Sequence, residues 1–219
     1  DDSSLLIPSQ LPGQEQRPAG GVLALAPPST VAAANSGGLF GNNNGTLSGQ
    51  ELAECARMLG IDVIFDTDLL YIAEELLTSP LPEGWERYTA GGGKQYYFNK
   101  HTRVTQWAHP LEEYYRCVVY MRKEGDSALE RKALDNPPTP DEVREMAKYL
   151  GVDYRHEFGL LDICKAAVSA PLPPEWEEYE DEDGEMYYVH KLSKQQLENH
   201  PLDGYFIEVI RQRREELAN

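Results

Sequence analysis

The chain of 219 residues carries 37 acidic against 20 basic side chains, a formal charge of −17 at neutral pH. A field of that sign repels phosphate backbones and anionic lipid, so nucleic acid and membrane surfaces are not expected partners, whereas basic protein surfaces are. Apolar runs are short, and the most tempting one, residues 21–26, is cut by Pro27 and Pro28, too brief for a signal-peptide core or a membrane span. Cys55, Cys117 and Cys164 are odd in number, widely spaced and set among helical apolar positions, and read as buried free thiols of a reducing compartment.

Residues 1–47 are rich in Pro, Gly, Ser, Ala and Asn with no sustained period, so they offer too little apolar surface to offset their ordering entropy. The expectation is a low-complexity tail, disordered or held extended along a partner. Beyond it the chain repeats itself. Ser48 matches Thr139, Leu59-Gly60 matches Leu150-Gly151, Trp85 matches Trp176, Tyr96-Tyr97 matches Tyr187-Tyr188 and Pro110 matches Pro201, always at an offset of 91 residues. A constant offset without insertions means two copies of one unit, 48–128 and 139–219, joined by a linker over 129–138 that contains the stiff Asn136-Pro137-Pro138 break.

Each unit opens with a capping box, Ser48-x-x-Glu51 and Thr139-x-x-Glu142, and the helix that follows ends at a Leu-Gly pair. A second helix is predicted over about 68–77 and 158–168, stopped by Ser79-Pro80 and Ala170-Pro171. A last helix starts after Pro110 and Pro201. Its apolar residues Leu111, Tyr114, Tyr115, Val118 and Val119, matched by Leu202, Tyr205, Phe206, Val209 and Ile210, define one buried face.

Between the helices, Leu81 to Pro110 alternates aromatic and β-branched positions around a tight Ala90-Gly91-Gly92-Gly93 turn and a second turn near Lys100 to Arg103, which predicts three short antiparallel strands. Alternation puts Tyr97 and Asn99 on one face and Tyr96, Phe98 and Lys100 on the other, with Thr105 and Trp107 sharing a face of the last strand. The segment resembles a WW domain in its Leu-Pro-x-Gly-Trp start, its Tyr-Tyr-x-Asn middle strand and its Thr-x-Trp-x-x-Pro end. The resemblance implies a structural buckle of Trp85, Tyr97, Asn99 and Pro110. It also implies a gripping face on which Tyr96 and Trp107 hold a proline of an extended ligand while Phe98, Lys100, Arg103 and Thr105 line the rest. A polyproline segment is pre-ordered and presents flat apolar rings, which suits such a site.

The copy at Leu172 to Pro201 keeps 11 of 30 positions, among them the buckle residues Trp176, Tyr188 and Pro201. Its gripping face reads Tyr187, Val189, Lys191, Gln196 and Glu198, so a carboxylate stands where the proline-holding ring would be. His190, at the Asn99 position, reads as a structural substitute. This copy also carries Glu175, Glu177, Glu178, Glu180, Asp181, Glu182, Asp183 and Glu185, eight acids within 11 residues, a run that could dock a basic segment.

A lone sheet of this size is marginal, so the flanking helices are expected to pack on it. The resulting fold class is α+β: two tandem modules, each a three-stranded antiparallel WW sheet flanked by α-helices, after a low-complexity tail. The helix–WW–helix order is similar to the N-terminal module of the family of centrosomal proteins of basal-body distal appendages, which recruits a kinase; the resemblance implies a centriole, basal body or ciliary setting. No phosphate-cradling loop, metal-ligand cluster or nucleophile–base pair is apparent, so no enzyme, cofactor or metal is expected. The expectation is a non-catalytic scaffold in a large multiprotein cytoskeletal assembly of the cilium, flagellar axoneme or basal body. The rival is a nuclear adaptor of splicing or transcription that reads proline-rich tails.

Overall fold

A computed structural model describes residues 47–91 and 94–218. The expected tail, Leu47 apart, and Gly92 and Gly93 of the first strand turn lie outside the described residues. The first half contains α1 (Gly49–Met58), α2 (Leu70–Thr78), β1 (Trp85–Thr89), β2 (Gln95–Asn99), β3 (Thr105–Gln106), α3 (Glu112–Tyr120) and α4 (Asp126–Asp135). The second contains α5 (Pro140–Tyr149), α6 (Leu161–Val168), β4 (Trp176–Glu180), β5 (Met186–His190), β6 (Gln196–Leu197) and α7 (Asp203–Ala218). From the pair α1 and α5 to the pair α3 and α7, equivalent elements start 91 residues apart, so the sequence repeat is a repeat of structure.

Local chemistry sets the ends of the first helix in each copy. Ser48 Oγ accepts from Glu51 N at 3.1 Å while Ser48 N donates to the Glu51 carboxylate at 2.9 Å. Thr139 and Glu142 make the same reciprocal pair at 3.3 and 2.7 Å. Such a cap stabilises a helix by about 1 kcal/mol. At the other end Gly60 and Gly151 sit at φ +80° and +70°, where an L side chain would be strained. The residues after them, Ile61 and Val152, donate back to Ala56 O and Ala147 O at 2.8 and 2.7 Å and bury their side chains.

Each sheet is an antiparallel meander, β1-β2-β3 and β4-β5-β6. In the first, Trp85 pairs with Asn99, Tyr88 with Tyr96 and Phe98 with Thr105. Tyr97 leaves the sheet toward the helices and is buried among Ile72, Ala73, Leu76, Leu111, Tyr115 and their neighbours. The helices thus supply the core that the sheet lacks, as its size requires.

The two copies share α3, which the single apolar stripe read from the sequence did not foresee. Tyr114, Tyr115 and Val119 face the first core, while Cys117 and Met121 are buried in the second together with Trp176, Leu197, Phe206 and Ile210. Glu113 accepts a hydrogen bond from Trp176 Nε1 at 2.9 Å, and its other oxygen lies 3.6 Å from His190 Nε2. The segment expected as a linker, 129–138, is helical in α4 as far as Asp135; extended chain is confined to the turn at Asn136-Pro137-Pro138. A wide π-type turn, Met121–Gly125, joins α3 to α4, and a Cβ at Gly125 would come within 2.7 Å of the Met121 side chain. Lys132 of α4 donates to Ala170 O at 2.7 Å, a further tie to the second copy.

Trp176 is 2% exposed, so Glu113→Ala leaves its indole N–H without an acceptor, at a cost of about 1–3 kcal/mol. The expected result is a lower urea midpoint at unchanged helix content, largely recovered in Glu113→Gln, which keeps the acceptor. Equal midpoints for the alanine variant and the parent chain would remove Glu113 as the joint between the copies.

Candidate functional site

Side-chain alternation along β2 sends Tyr96 and Phe98 to the face opposite the core. There Tyr88, directly across the ladder, stacks on Tyr96 with ring centroids 5.5 Å apart and planes 20° apart. Tyr88 also meets the edge of Phe98 at 6.5 Å. Trp107, just past β3, meets Tyr96 edge-to-face at 6.0 Å and 72°. Tyr96 is 8% exposed and Trp107 36% exposed. The tyrosine is therefore held rigid between its neighbours while the indole presents an open ring. Two aromatic planes near a right angle make a notch into which a flat apolar ring fits without losing chain entropy.

The remaining expected ligand-side residues are distributed around this notch. Lys100 pairs with Glu86 at 2.7 Å, and Glu86 also accepts from Tyr88 Oη at 2.7 Å. These two donors hold its carboxyl below the usual range. Lys100 is thus tied back to β1. Thr105 is half-buried opposite Phe98, and Arg103 is exposed on the second turn at φ +62°. Tyr88, the residue that stacks Tyr96 in place, was not singled out in the sequence, although its identity with Tyr179 at the 91-residue offset marks it.

On the opposite face Tyr97 is 3% exposed, and burial pushes its phenol up to about 12. Trp85 packs half-buried on the same core, Pro110 is half-buried, and Asn99 Oδ1 accepts from the backbone of His101 and Thr102 at 2.9 and 3.0 Å, fixing the second turn.

The second copy keeps this frame. Tyr179 stacks on Tyr187 at 5.6 Å and 22°, Tyr188 packs against the core and Pro201 is buried. His190 does the work of Asn99, its Nδ1 accepting from Ser193 N at 3.1 Å. Glu198, where Trp107 stands in the first copy, is exposed, and Val189 replaces Phe98. No second ring closes the notch. The buckle tryptophans also differ: Trp85 serves its own core, whereas Trp176 reaches across to Glu113 of the first copy.

The family model for the CEP164 N-terminal domain matches residues 42–132 and again 123–219. The chain belongs to that family. The CEP164 N-terminal domain is thus present twice, and the two matches overlap within the π turn and α4, the stretch that ties the copies together. Centrosomal protein of 164 kDa from Mus musculus is 41% identical over 81 residues, 37% of this chain and 6% of that protein. Two proteins named probable E3 ubiquitin-protein ligase hulA, from Aspergillus terreus and Aspergillus clavatus, are 26% and 28% identical over 121 and 122 residues. Each match covers 50% of this chain and 15% of the ligase. The chain therefore spans a small fraction of these relatives, and the ligase matches are partial and of WW type. As a pair of WW-like CEP164 N-terminal domains the chain is a protein-interaction module related to a centrosomal protein. Among the described residues no cluster of His, Cys, Asp or Glu is arranged to hold a metal ion, and no helix is long and apolar enough to cross a membrane.

In both CEP164-type domains the His-Pro that closes the WW segment starts the last helix. His109 Nδ1 accepts from Leu111 N, and His200 Nδ1 from Leu202 N, each at 3.2 Å. The rings stand edge-on to Tyr97 and Tyr188 at 5.1 and 5.2 Å. An imidazole that accepts at Nδ1 carries its proton on Nε2 and is neutral. Burial first, then the nearby cations Arg87 and Lys132, push the two histidines down to about 3 and about 4. Both values lie below the unfolded one, so the unfolded chain binds more protons between pH 6.5 and 4 and stability is lost as pH falls through that window. The slope is about 1.4 kcal/mol per pH unit for each histidine. Asp203, whose carboxyl burial pushes up, acts in the opposite sense at the acid end. Urea midpoints between pH 7.5 and 4.5 should fall steeply in the parent chain. The fall should be shallower in His109→Asn with His200→Asn, where an amide oxygen replaces the titrating acceptor.

Proposed function

We propose that this chain is a non-catalytic scaffold of a cytoskeletal assembly at the centrosome, basal body or cilium, and that its first module captures an extended, proline-containing segment of a partner protein. The observation that carries the reading is the contact between Tyr96 and Trp107, one ring immobilised and the other open, on the sheet face turned away from the core. Phe98 and Thr105 extend the apolar floor, and Lys100 and Arg103 stand at the rim. The family relation and the printed name of the mouse relative support the centrosomal setting. In the same reading the second module is a structural and acidic docking copy. Strand β4 and the exposed turn after it carry the acidic run 175–185, with Asp181 accepting from the backbone of Asp183 and Glu185 at 2.9 Å each, so that the turn presents its charge on a fixed frame. A basic segment is its natural partner.

Trp107→Ala should weaken a proline-containing peptide by about tenfold or more, as loss of a central aromatic does at protein interfaces, and leave the thermal transition nearly unchanged. Trp85→Ala should instead lower the thermal transition. A silent Trp107→Ala would sink the assignment. In the second copy Glu198→Trp should create a second notch against Tyr187, read as a second binding event in titration calorimetry of the full chain. A tagged chain should fractionate with centrosomes or ciliary bases; a freely soluble nuclear pool would favour the adaptor reading instead.

A further inference from the structure

Trp107, which meets Tyr96 edge-to-face, is also a wall of a groove of about 450 Å³ that runs between β2 and helix α1. Its floor is apolar, made by Cys55, Met58 and Tyr97, and three carboxylates, Glu51, Glu54 and Glu112, stand along it. Among the described residues that line the groove the one cation is Lys94, whose ammonium lies 4.3 Å from the centroid of the Trp107 ring.

A row of acids does not make a site, but two buried polar atoms of residues that line the groove lack partners among the described residues. His109, 4% exposed, spends Nδ1 on Leu111 N, so Nε2 carries the proton, and that buried N–H meets no acceptor. Gln95 Oε1, also buried and on the groove, meets no donor. An unused donor and an unused acceptor on the lining of one groove match the two hydrogen-bonding ends of a peptide group, and leaving either unmade costs free energy that a ligand recovers. We propose that this groove is a second subsite, continuous with the notch across Trp107, that takes a backbone amide and the adjacent lysine or arginine side chain of the captured segment. The proposal rests on the proline-capture reading and adds to it: the partner carries a basic residue beside its proline. The cation lies over the indole where Lys94 now lies, its stem on Met58 and Tyr97 and its charge facing the glutamates.

The second copy is an internal control. Tyr149 stands at the position of Met58 and Asp203 at that of Glu112, and the phenol donates to the buried carboxylate at 2.6 Å, bridging helix one to the last helix where the first copy leaves the groove open. Glu185, Met186 and Glu198 replace Lys94, Gln95 and Trp107. The copy that has lost the ring keeps the imidazole in His200 but has lost the amide acceptor, Met186 standing for Gln95, and has gained a plug.

The test uses the full chain and three probes: an uncharged proline-containing peptide, the same peptide with one arginine scanned through the flanking positions, and acetyl-alanyl-arginyl-alanine amide, which has no proline. At one position the arginine should raise affinity by about fivefold. Met58→Tyr with Glu112→Asp, which imports the plug, should erase that gain, so that the arginine peptide and the uncharged peptide bind this variant equally well. Glu54→Lys should erase it as well. The proline-free probe should shift the His109 Nε2–H resonance in the parent chain and not in the plugged variant. No gain at any position, or a gain that survives both variants, overturns the proposal. If the uncharged peptide fails to bind, the notch reading falls by itself, and the response of His109 to the proline-free probe still decides the groove: a shift upholds it and silence ends it.

Discussion

A sheet of three short strands hides too little apolar surface to hold itself together, and in this chain that shortage shapes everything around it. Each sheet leans one face on helices, so Tyr97 and Tyr188 become core residues while the other face is released from structural duty. The released face of the first sheet is then free to carry the aromatic group of Tyr88, Tyr96, Phe98 and Trp107, the site proposed above for a ligand. Even the turn into the last helix serves both ends: His109 packs edge-on to Tyr97 and caps the backbone of α3 with one ring.

The second sheet solves the same shortage differently. Its tryptophan, Trp176, is anchored on Glu113 of the first copy, and Cys117 of α3 with Met121 of the π turn after it completes its core. The equivalent positions of α7 are Gly204, Glu208 and Gln212, which offer neither the acceptor nor the apolar pad. The docking is therefore directional. The first copy holds the second and keeps its own aromatic face open; the second is held and has given up the ring, with Tyr149 and Asp203 joined in place of a groove.

What could be read from the sequence is whatever the chain writes locally. The capping boxes, the Leu-Gly ends, the strand alternation and the constant 91-residue offset each depend on residues a few positions apart or on identity between copies, and the helices, the ladders and the facing of Tyr96 toward Trp107 follow from them. The relation between the copies was not legible, because an amphipathic reading of α3 assumes one buried stripe, and Glu113 and Cys117 lie off it. The helical stretch of 129–135 lacked strong apolar periodicity and read as linker. The groove beside Trp107 is assembled from α1, β2 and the start of α3, more than fifty positions of sequence brought together by packing, and nothing local announces it. Tyr88 and His109 did leave a trace, since both recur unchanged at the offset, but recurrence alone does not say what a residue touches.

The sharing of α3 has a mechanical meaning. A segment held at Trp107, as proposed above, would pull on β3 and, through the short turn at Ala108 to Leu111, on the first turn of α3, the turn that carries the second copy's anchor. Tension on such a partner would be carried by two cores in series rather than by one small sheet, because α3 belongs to both.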